Sequence, residues 1–456
     1  MGSWRTRSRI LYFIISSWRF QAFRALSGLG LDRRGAVAVV FALTIIPLCL
    51  AGGAAIDMGR AYVVKNRLGY ALDAAGLAVG AATTTDEAEL ETIMLAYFEA
   101  NYPVHEIGVP AVPEMTLTDS EVHLSATAEV NTTLMSVVGI EHMNVAASTV
   151  IVRETKGLEV VLVLDNTGSM GTTKMNSLKS AAHTFLDILF GSDDENELLL
   201  VGVVPFAASV NVGTDFAYLT SGFDEDDYNP FDWEGCVMAR GGNLNINDAI
   251  PDTNAKKWDA FLWPDDSNNN WSGSHTSHSA TPNRYCPVEL LPMTGTKSVI
   301  EDKIDEMHSQ GNTHINIGLV WGWRVISPRI PFTEGHGYNN EDYNKAIVLM
   351  TDGENVMSSS VYSAYGYLSD GNLGTTRSDD AIDELDERTT AVCDNIKAKG
   401  IIIYTITFQV SSSSTRDLMR DCASEADNYF DSPSDSELET AFRAIGQELS
   451  NLRIGQ

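Results

Sequence analysis

The chain has 456 residues, 44% apolar and 20% charged, a globular composition that excludes a disordered chain and allows about three domain-sized units. Sixty-one acidic against thirty-one basic residues give a formal charge of −30. That excess excludes nucleic acid as the main partner, because phosphate backbones are held by cations.

The charge is unevenly spread. Before residue 35 stand seven arginines (Arg5, Arg7, Arg9, Arg19, Arg24, Arg33, Arg34) and one acid, Asp32. A head of about +6 therefore precedes a body of about −36. The run AVAVVFALTIIPLCLAGGAAI, Ala36 to Ile56, has no charged residue. About twenty apolar residues rising about 1.5 Å each span the roughly 30 Å hydrocarbon core, so 35–56 is predicted to be a transmembrane helix. Pro47 and Gly52-Gly53 are tolerated in lipid. A cleaved signal sequence has a shorter apolar region, whereas here the helical pattern continues through DMGRAYVVKNRLGYALDAAGLAVGAA. The basic segment 1–34 is expected in the cytoplasm and the acidic body outside the inner membrane, giving a single-pass protein.

Residues 57–154 are predicted to form a stalk domain. Asp57 to Ala82 and Thr85 to Tyr102 read as helices. Met115 to Glu154 then alternates with period two (VHLSATAEV, VAASTVIV), which predicts two to four antiparallel strands.

From Gly157 the pattern alternates strand and helix. Strands are predicted at Glu159–Asp165, Leu198–Phe206, Lys345–Asp352 and Ile401–Val410. Helices are predicted at Lys174–Phe190, Thr296–Gln310, Ile315–Ile326, Asp379–Lys399 and Ser436–Leu452. The continuously apolar EVVLVLD suits a strand buried on both faces. The fold class is α/β, a doubly wound, mostly parallel sheet over 157–456, whose ligands sit beyond the carboxyl ends of the strands. A long insertion, 215–295, is rich in Asn, Ser, Asp and Trp; it either contacts a partner or packs over the sheet edge.

Cys49 lies in the apolar run, leaving Cys236, Cys286, Cys393 and Cys422 outside it, with no CxxC spacing. In an oxidising compartment four cysteines imply two disulfides with three possible connectivities. Pairing in sequence order, Cys236–Cys286 and Cys393–Cys422, closes the two shortest independent loops and is the expectation.

Oxygen ligands cluster where the fold places a site. The first strand ends in Asp165-Asn166-Thr167-Gly168-Ser169, a later loop reads Gly311-Asn312-Thr313, and the strand KAIVLM ends in Thr351-Asp352-Gly353-Glu354. Two carboxylates and three hydroxyls are hard donors suited to Mg²⁺, Mn²⁺ or Ca²⁺. They only neutralise a divalent ion, so an anion from outside could complete its coordination.

DNTGSM, GNTHINIGL and IVLMTDGE, in this order and on these elements, resemble the metal-ion-dependent adhesion site of von Willebrand factor A domains. The resemblance implies that Thr167, Ser169 and Thr313 are hydroxyl ligands, and that Asp165 and Asp352 bind the metal mostly through water. DRRGAVAVVFALTIIPLCLAGGAAIDMGRAYVVKNRLGYALDAAGLA resembles the head of TadG-like proteins of the tight-adherence (Flp) pilus machinery, and the segments around Cys393 and Cys236 are similar to that family too. Related pseudopilins carry a Glu five positions after a processed Gly, where here Gly35 is followed by Val40. That departure implies an anchored accessory protein rather than a fibre subunit.

The expected function is thus non-enzymatic: pilus assembly or adhesion, through a protein partner that offers an acidic residue, with pilus-assembly components the expected partners. A surface adhesin for host or matrix protein is the alternative. A metal-dependent hydrolase is a weaker one, since His314 is the only histidine within the three motif segments. His275 and His278 lie in a Ser-rich stretch that reads as a solvated loop.

Overall fold

The computed structural model describes residues 33–82, 87–103, 107–118, 121–152, 156–271 and 280–453. The chain ahead of Arg33, and with it most of the basic head, lies outside them, as does the His275/His278 pair. The chain divides into two compact units, Met1–Arg153 and Glu154–Gln456.

In the first unit, helix α1 (Arg33–Gly80) runs 48 residues without a break. Helix α2 (Glu87–Asn101) follows, then strands β1 (Glu114–Leu117), β2 (Glu121–Asn131) and β3 (His142–Val152). Between Val37 and Ile56 the side chains of α1 are largely exposed. Among the described residues α1 is the one helix long and apolar enough to cross a membrane. Beyond Asp57 it becomes one-sided: Val64, Leu68, Leu72, Ala75 and Val79 recur at helical spacing and are buried. They meet Leu90, Met94 and Phe98 of α2, and Val122, Leu124, Ala126, Ala128 and Val130, the inward face of β2. β3 pairs antiparallel along the whole of β2, from Glu121↔Val152 to Asn131↔His142, and β1 pairs on the other edge.

The second unit contains β4 (Gly157–Asp165), α3 (Gly171–Phe190), β5 (Leu199–Phe206), β6 (Leu291–Thr294), α4 (Lys297–Glu306) and α5 (Ile315–Ile326). β7 (Tyr343–Thr351), α6 (Ser378–Lys397), β8 (Ile402–Phe408), α7 (Ser413–Cys422), β9 (Tyr429–Ser432) and α8 (Asp435–Arg453) complete it. The sheet order is β9-β8-β7-β4-β5-β6, parallel throughout except for β6. Every residue of β4 is buried. Alternate residues of β4 serve two cores, one shared with α5, α6 and α7, the other with α3, α4 and α8.

Three of the elements just named are absent from the sequence reading. β6 is four residues at the end of the supposed insertion, too short for a period to register. α7 opens in a run of serines that resembles a loop, where the Ser412 hydroxyl accepts the Thr415 N–H and caps it. β9 is another four-residue edge strand.

The insertion packs onto the fold. Trp233, Trp258 and Trp263 are buried. The Trp258 ring lies 4.9 Å from that of Trp321 on α5, with the Arg240 guanidinium 4.4 Å and the Arg324 guanidinium 5.2 Å from it. Both guanidiniums donate to main-chain carbonyls of the insertion: Arg240 to Ala249, Lys256 and Asn247, and Arg324 to Leu244 and Asn247. Two disulfides, Cys236–Cys286 and Cys393–Cys422, close loops of 50 and 29 residues. The first spans the insertion and the second ties α6 to α7.

Helix α5 lies flat on the sheet because Gly318 and Gly322 face it. A Cβ at Gly318 would stand 2.4 Å from Phe206, and one at Gly322 would stand 2.4 Å from Val163. Gly322→Ala should therefore lower the urea midpoint, with a loss of about 1–3 kcal/mol from overpacking, although Ala is the better helix former by about 1 kcal/mol. An unchanged or raised midpoint would mean that the helix can back away from the sheet at no cost.

Candidate metal centre

The parallel register aligns Leu164 with Met350, so β4 and β7 end side by side, and Asp165, one residue on, and Asp352, two residues on, bring two carboxylates to one edge. Asp165 is fully buried and Asp352 nearly so. Asp165 Oδ1 accepts the Thr167 N–H at 2.8 Å. Its Oδ2 accepts the Thr351 hydroxyl at 2.7 Å and, at 3.4 Å, the Asp352 N–H. Ser169 Oγ donates to Asp352 Oδ1 at 2.6 Å, so the 2.9 Å contact between the Thr167 and Ser169 hydroxyls has Thr167 as donor. Four of the five predicted metal residues thus form one hydrogen-bonded chain.

Thr313, the fifth, is buried on the neighbouring loop. That loop is stitched to the first by Gly168 N–H to the Gly311 carbonyl (2.9 Å) and Gln310 N–H to the Asn166 carbonyl (2.7 Å). The Thr313 carbonyl accepts the Val356 N–H at 3.0 Å, tying the same loop to the segment after Asp352. Among the described residues the Thr313 hydroxyl takes no part in the Asp165–Asp352 chain.

Two residues near the cluster escape the sequence reading. Lys174 Nζ donates to Asp352 Oδ2 at 2.7 Å, an ion pair whose carboxylate side is buried. The signal was available: a lysine in the first turn of α3 opposes the helix dipole unless a carboxylate answers it. Asn166 is fully buried, and neither polar atom of its side-chain amide has a partner. His314 stands next to Thr313 but is fully buried, and its Nε2 can only donate to the Val356 carbonyl (3.2 Å). Burial pushes its pKa down to about 4, so it is neutral and held away from base chemistry.

Burial, and then the negative charge of Asp352, raise the Asp165 carboxyl to about 6. No group of three or more His, Cys, Asp or Glu side chains forms a cage among the described residues, so a cation here would rest on two carboxylates and hydroxyls. The donor set fits a hard divalent ion. The Lys174 ammonium already answers the excess negative charge in part, and a divalent ion would relieve the repulsion that raises Asp165.

A sheet of this order, parallel but for one edge strand and with oxygen donors gathered at its carboxyl edge, is a doubly wound α/β fold, the architecture that the resemblance to von Willebrand factor A domains implies, here preceded by an apolar helix and a small α+β unit. Residues 35–82, roughly a tenth of the chain, match the family model described as putative Flp pilus-assembly TadE/G-like. Sequence comparison with curated proteins finds no match. Among solved structures, the pilus adhesin SpaC from Lactobacillus rhamnosus GG is 14% identical over 74% of this chain and 34% of its own, with a TM-score of 0.36. This chain therefore spans about a third of SpaC. The vWF domain of the type V pili tip protein Mfa5 from Porphyromonas gingivalis is 12% identical over 66% of this chain and 97% of its own, with a TM-score of 0.38. Proximal thread matrix protein 1 from the mussel byssus, with a zinc-occupied MIDAS motif, is 12% identical over 66% of this chain and 47% of its own, with a TM-score of 0.32. Likeness at this level carries no inference about ligands or partners.

The raised Asp165 carboxyl has a pH signature. Its contribution to stability is greatest below the unfolded carboxyl value of 3.8 and is lost as pH rises through about 6. In chelator, Asp165→Asn should be more stable than wild type at pH 7 by about 1–3 kcal/mol, and the difference should vanish toward pH 4. Urea titrations across that range measure it. A mutant no more stable at pH 7 would mean that the two carboxylates do not strain the metal-free fold.

Proposed function

We propose that this chain is an inner-membrane-anchored accessory protein of Flp pilus assembly. In this reading its exported A domain captures a protein partner through a divalent cation, Mg²⁺ or alternatively Mn²⁺ or Ca²⁺. The observation that carries the reading is the hydrogen-bonded chain from Thr351 through Asp165, Thr167 and Ser169 to Asp352 at the carboxyl edge of the sheet. Asp165, Thr167, Ser169, Thr313 and Asp352 would hold the ion, which when bound offers a Lewis-acidic position to an acidic side chain of the partner. Lys174, paired with Asp352 Oδ2, would compete with the ion for the negative charge of that carboxylate.

The TadE/G-like match supports the pilus role, and the exposed apolar run of α1 supports a single-pass anchor. The two disulfides support an extracytoplasmic body. The arginine-rich head supports a cytoplasmic N-terminus. Against a hydrolase stands His314, buried and bonded to a carbonyl, which leaves the cluster without a histidine base.

Three measurements test the reading. Thr313→Ala and chelation should each abolish partner recovery in pull-downs from membranes, and added Mg²⁺ should reverse chelation; recovery at native levels in both cases would sink metal-dependent capture. Lys174→Ala should bind Mg²⁺ about tenfold more tightly by calorimetry, worth about 1.4 kcal/mol, while an unchanged affinity would mean the ammonium does not compete. An alkaline phosphatase fused after Gln456 should be active, and a stable but inactive fusion would reverse the orientation.

A further inference from the structure

The turn that joins β2 to β3 carries apolar side chains with nothing over them: Leu134 is 41% exposed, Val137 78%, Val138 53% and Ile140 44%. Hairpin turns ordinarily present polar residues to water. The turn is also fixed in place. The buried carboxylate of Asp57, on α1, accepts the N–H groups of Thr133 (3.0 Å), Leu134 (2.9 Å) and Met135 (2.8 Å). These are the free donors that open the 3₁₀ turn Met135–Val138. Arg60, also on α1, donates to the Thr133 hydroxyl.

The height of the turn along α1 follows from one glycine. A Cβ at Gly53 would stand 2.6 Å from the Cβ of Leu134, so the turn lies directly on the helix there. Gly53 is inside the uncharged run, four residues before Asp57, which at 1.5 Å per residue is about 6 Å toward its centre. The exposed side chains of the turn therefore continue the exposed apolar surface of Val37–Ile56. The polarity changes just beyond it, at Glu141, His142 and Arg60.

We propose that this turn is a second membrane contact: Leu134, Val137, Val138 and Ile140 enter the acyl boundary of the leaflet from which α1 emerges. Asp57 and Arg60 then lie at the level of the lipid headgroups. The proposal rests on the reading of residues 35–56 as a transmembrane anchor. Lipid is the occupant because the patch is continuous with the apolar run and ends where charge begins. A lone helix is free to rotate about its axis and slide in depth; an apolar turn beside it fixes both.

The test uses the full chain in nanodiscs of phosphatidylethanolamine and phosphatidylglycerol, with an environment-sensitive fluorophore on one cysteine at a time. The natural free thiol Cys49 reports on the anchor. Val138→Cys and Glu99→Cys, each with Cys49→Ser, report on the turn and on an exposed position of α2. Both substitutions are at exposed positions and leave the core intact. The label at 138 should be quenched by nitroxide lipids, with iodide quenching roughly threefold weaker than at 99, as for a group in the interface. Quenching by iodide but not by nitroxide lipids at 138, with Cys49 quenched by the lipids, would overturn the turn contact and leave the anchor standing. Protection at 138 from both quenchers would mean a protein covers the turn, which also overturns it. A Cys49 label open to iodide and untouched by lipid would instead overturn the anchor itself.

Discussion

Two carboxylates buried at the ends of adjacent parallel strands are a cost that the surrounding loops are built to offset. Asp165 and Asp352 meet because β4 and β7 pair in register, at the point where the chain has left β4 toward β5 and β6 and returns through β7 toward β8 and β9. That reversal opens a crevice at the carboxyl edge, the place where doubly wound sheets bind ligands. Each compensating group comes from a segment fixed for another reason. Thr351 is the last residue of β7, Thr167 and Ser169 lead into α3, and Lys174 belongs to the first turn of α3. The compensation is incomplete, since Asp165 remains raised, and an incompletely neutralised pair of buried acids attracts a cation.

The loops around that crevice owe their shape to helix α5. Its glycines let it settle on Val163 and Phe206, and the segment leading into it is held by the Ile315 N–H donating to the Asn355 side chain. On its far side α5 offers Trp321 and Arg324 to the insertion. A guanidinium taken from water is tolerated there because carbonyls and indole faces surround it. The insertion is therefore a third layer of the domain, contributing buried tryptophans to a core that would otherwise face solvent.

Much of this was legible in the sequence because the signals are local. EVVLVLD suits a strand buried on both faces, as β4 is, and the helical spacing in α3, α5 and α6 marks their buried sides. The three motif segments stand at strand ends and before a helix, so the fold that the periodicity implies brings them to one edge. What escaped is non-local or short. β6 and β9 have four residues each, fewer than alternation needs to declare itself. The hold of Lys174 on Asp352 crosses 178 positions of sequence and follows only once the strand order is known. The role of Asp57 escaped for the same reason: a charged residue at the end of an apolar run reads as a boundary, and nothing local says that it gathers three amides from a turn some 76–78 positions away.

The unbroken helix α1 has a mechanical meaning. At about 1.5 Å per residue its 48 residues form a rod about 72 Å long, shared between the apolar run and the rest of the first unit. No loop separates the two, so force applied to that unit reaches the lipid-length segment as bending and torque rather than being absorbed by a slack tether. Pro47, the one residue of the rod without an N–H to give, lies inside the apolar run. The missing hydrogen bond at Pro47 and the Gly52-Gly53 pair make the apolar run the easier part of the rod to bend.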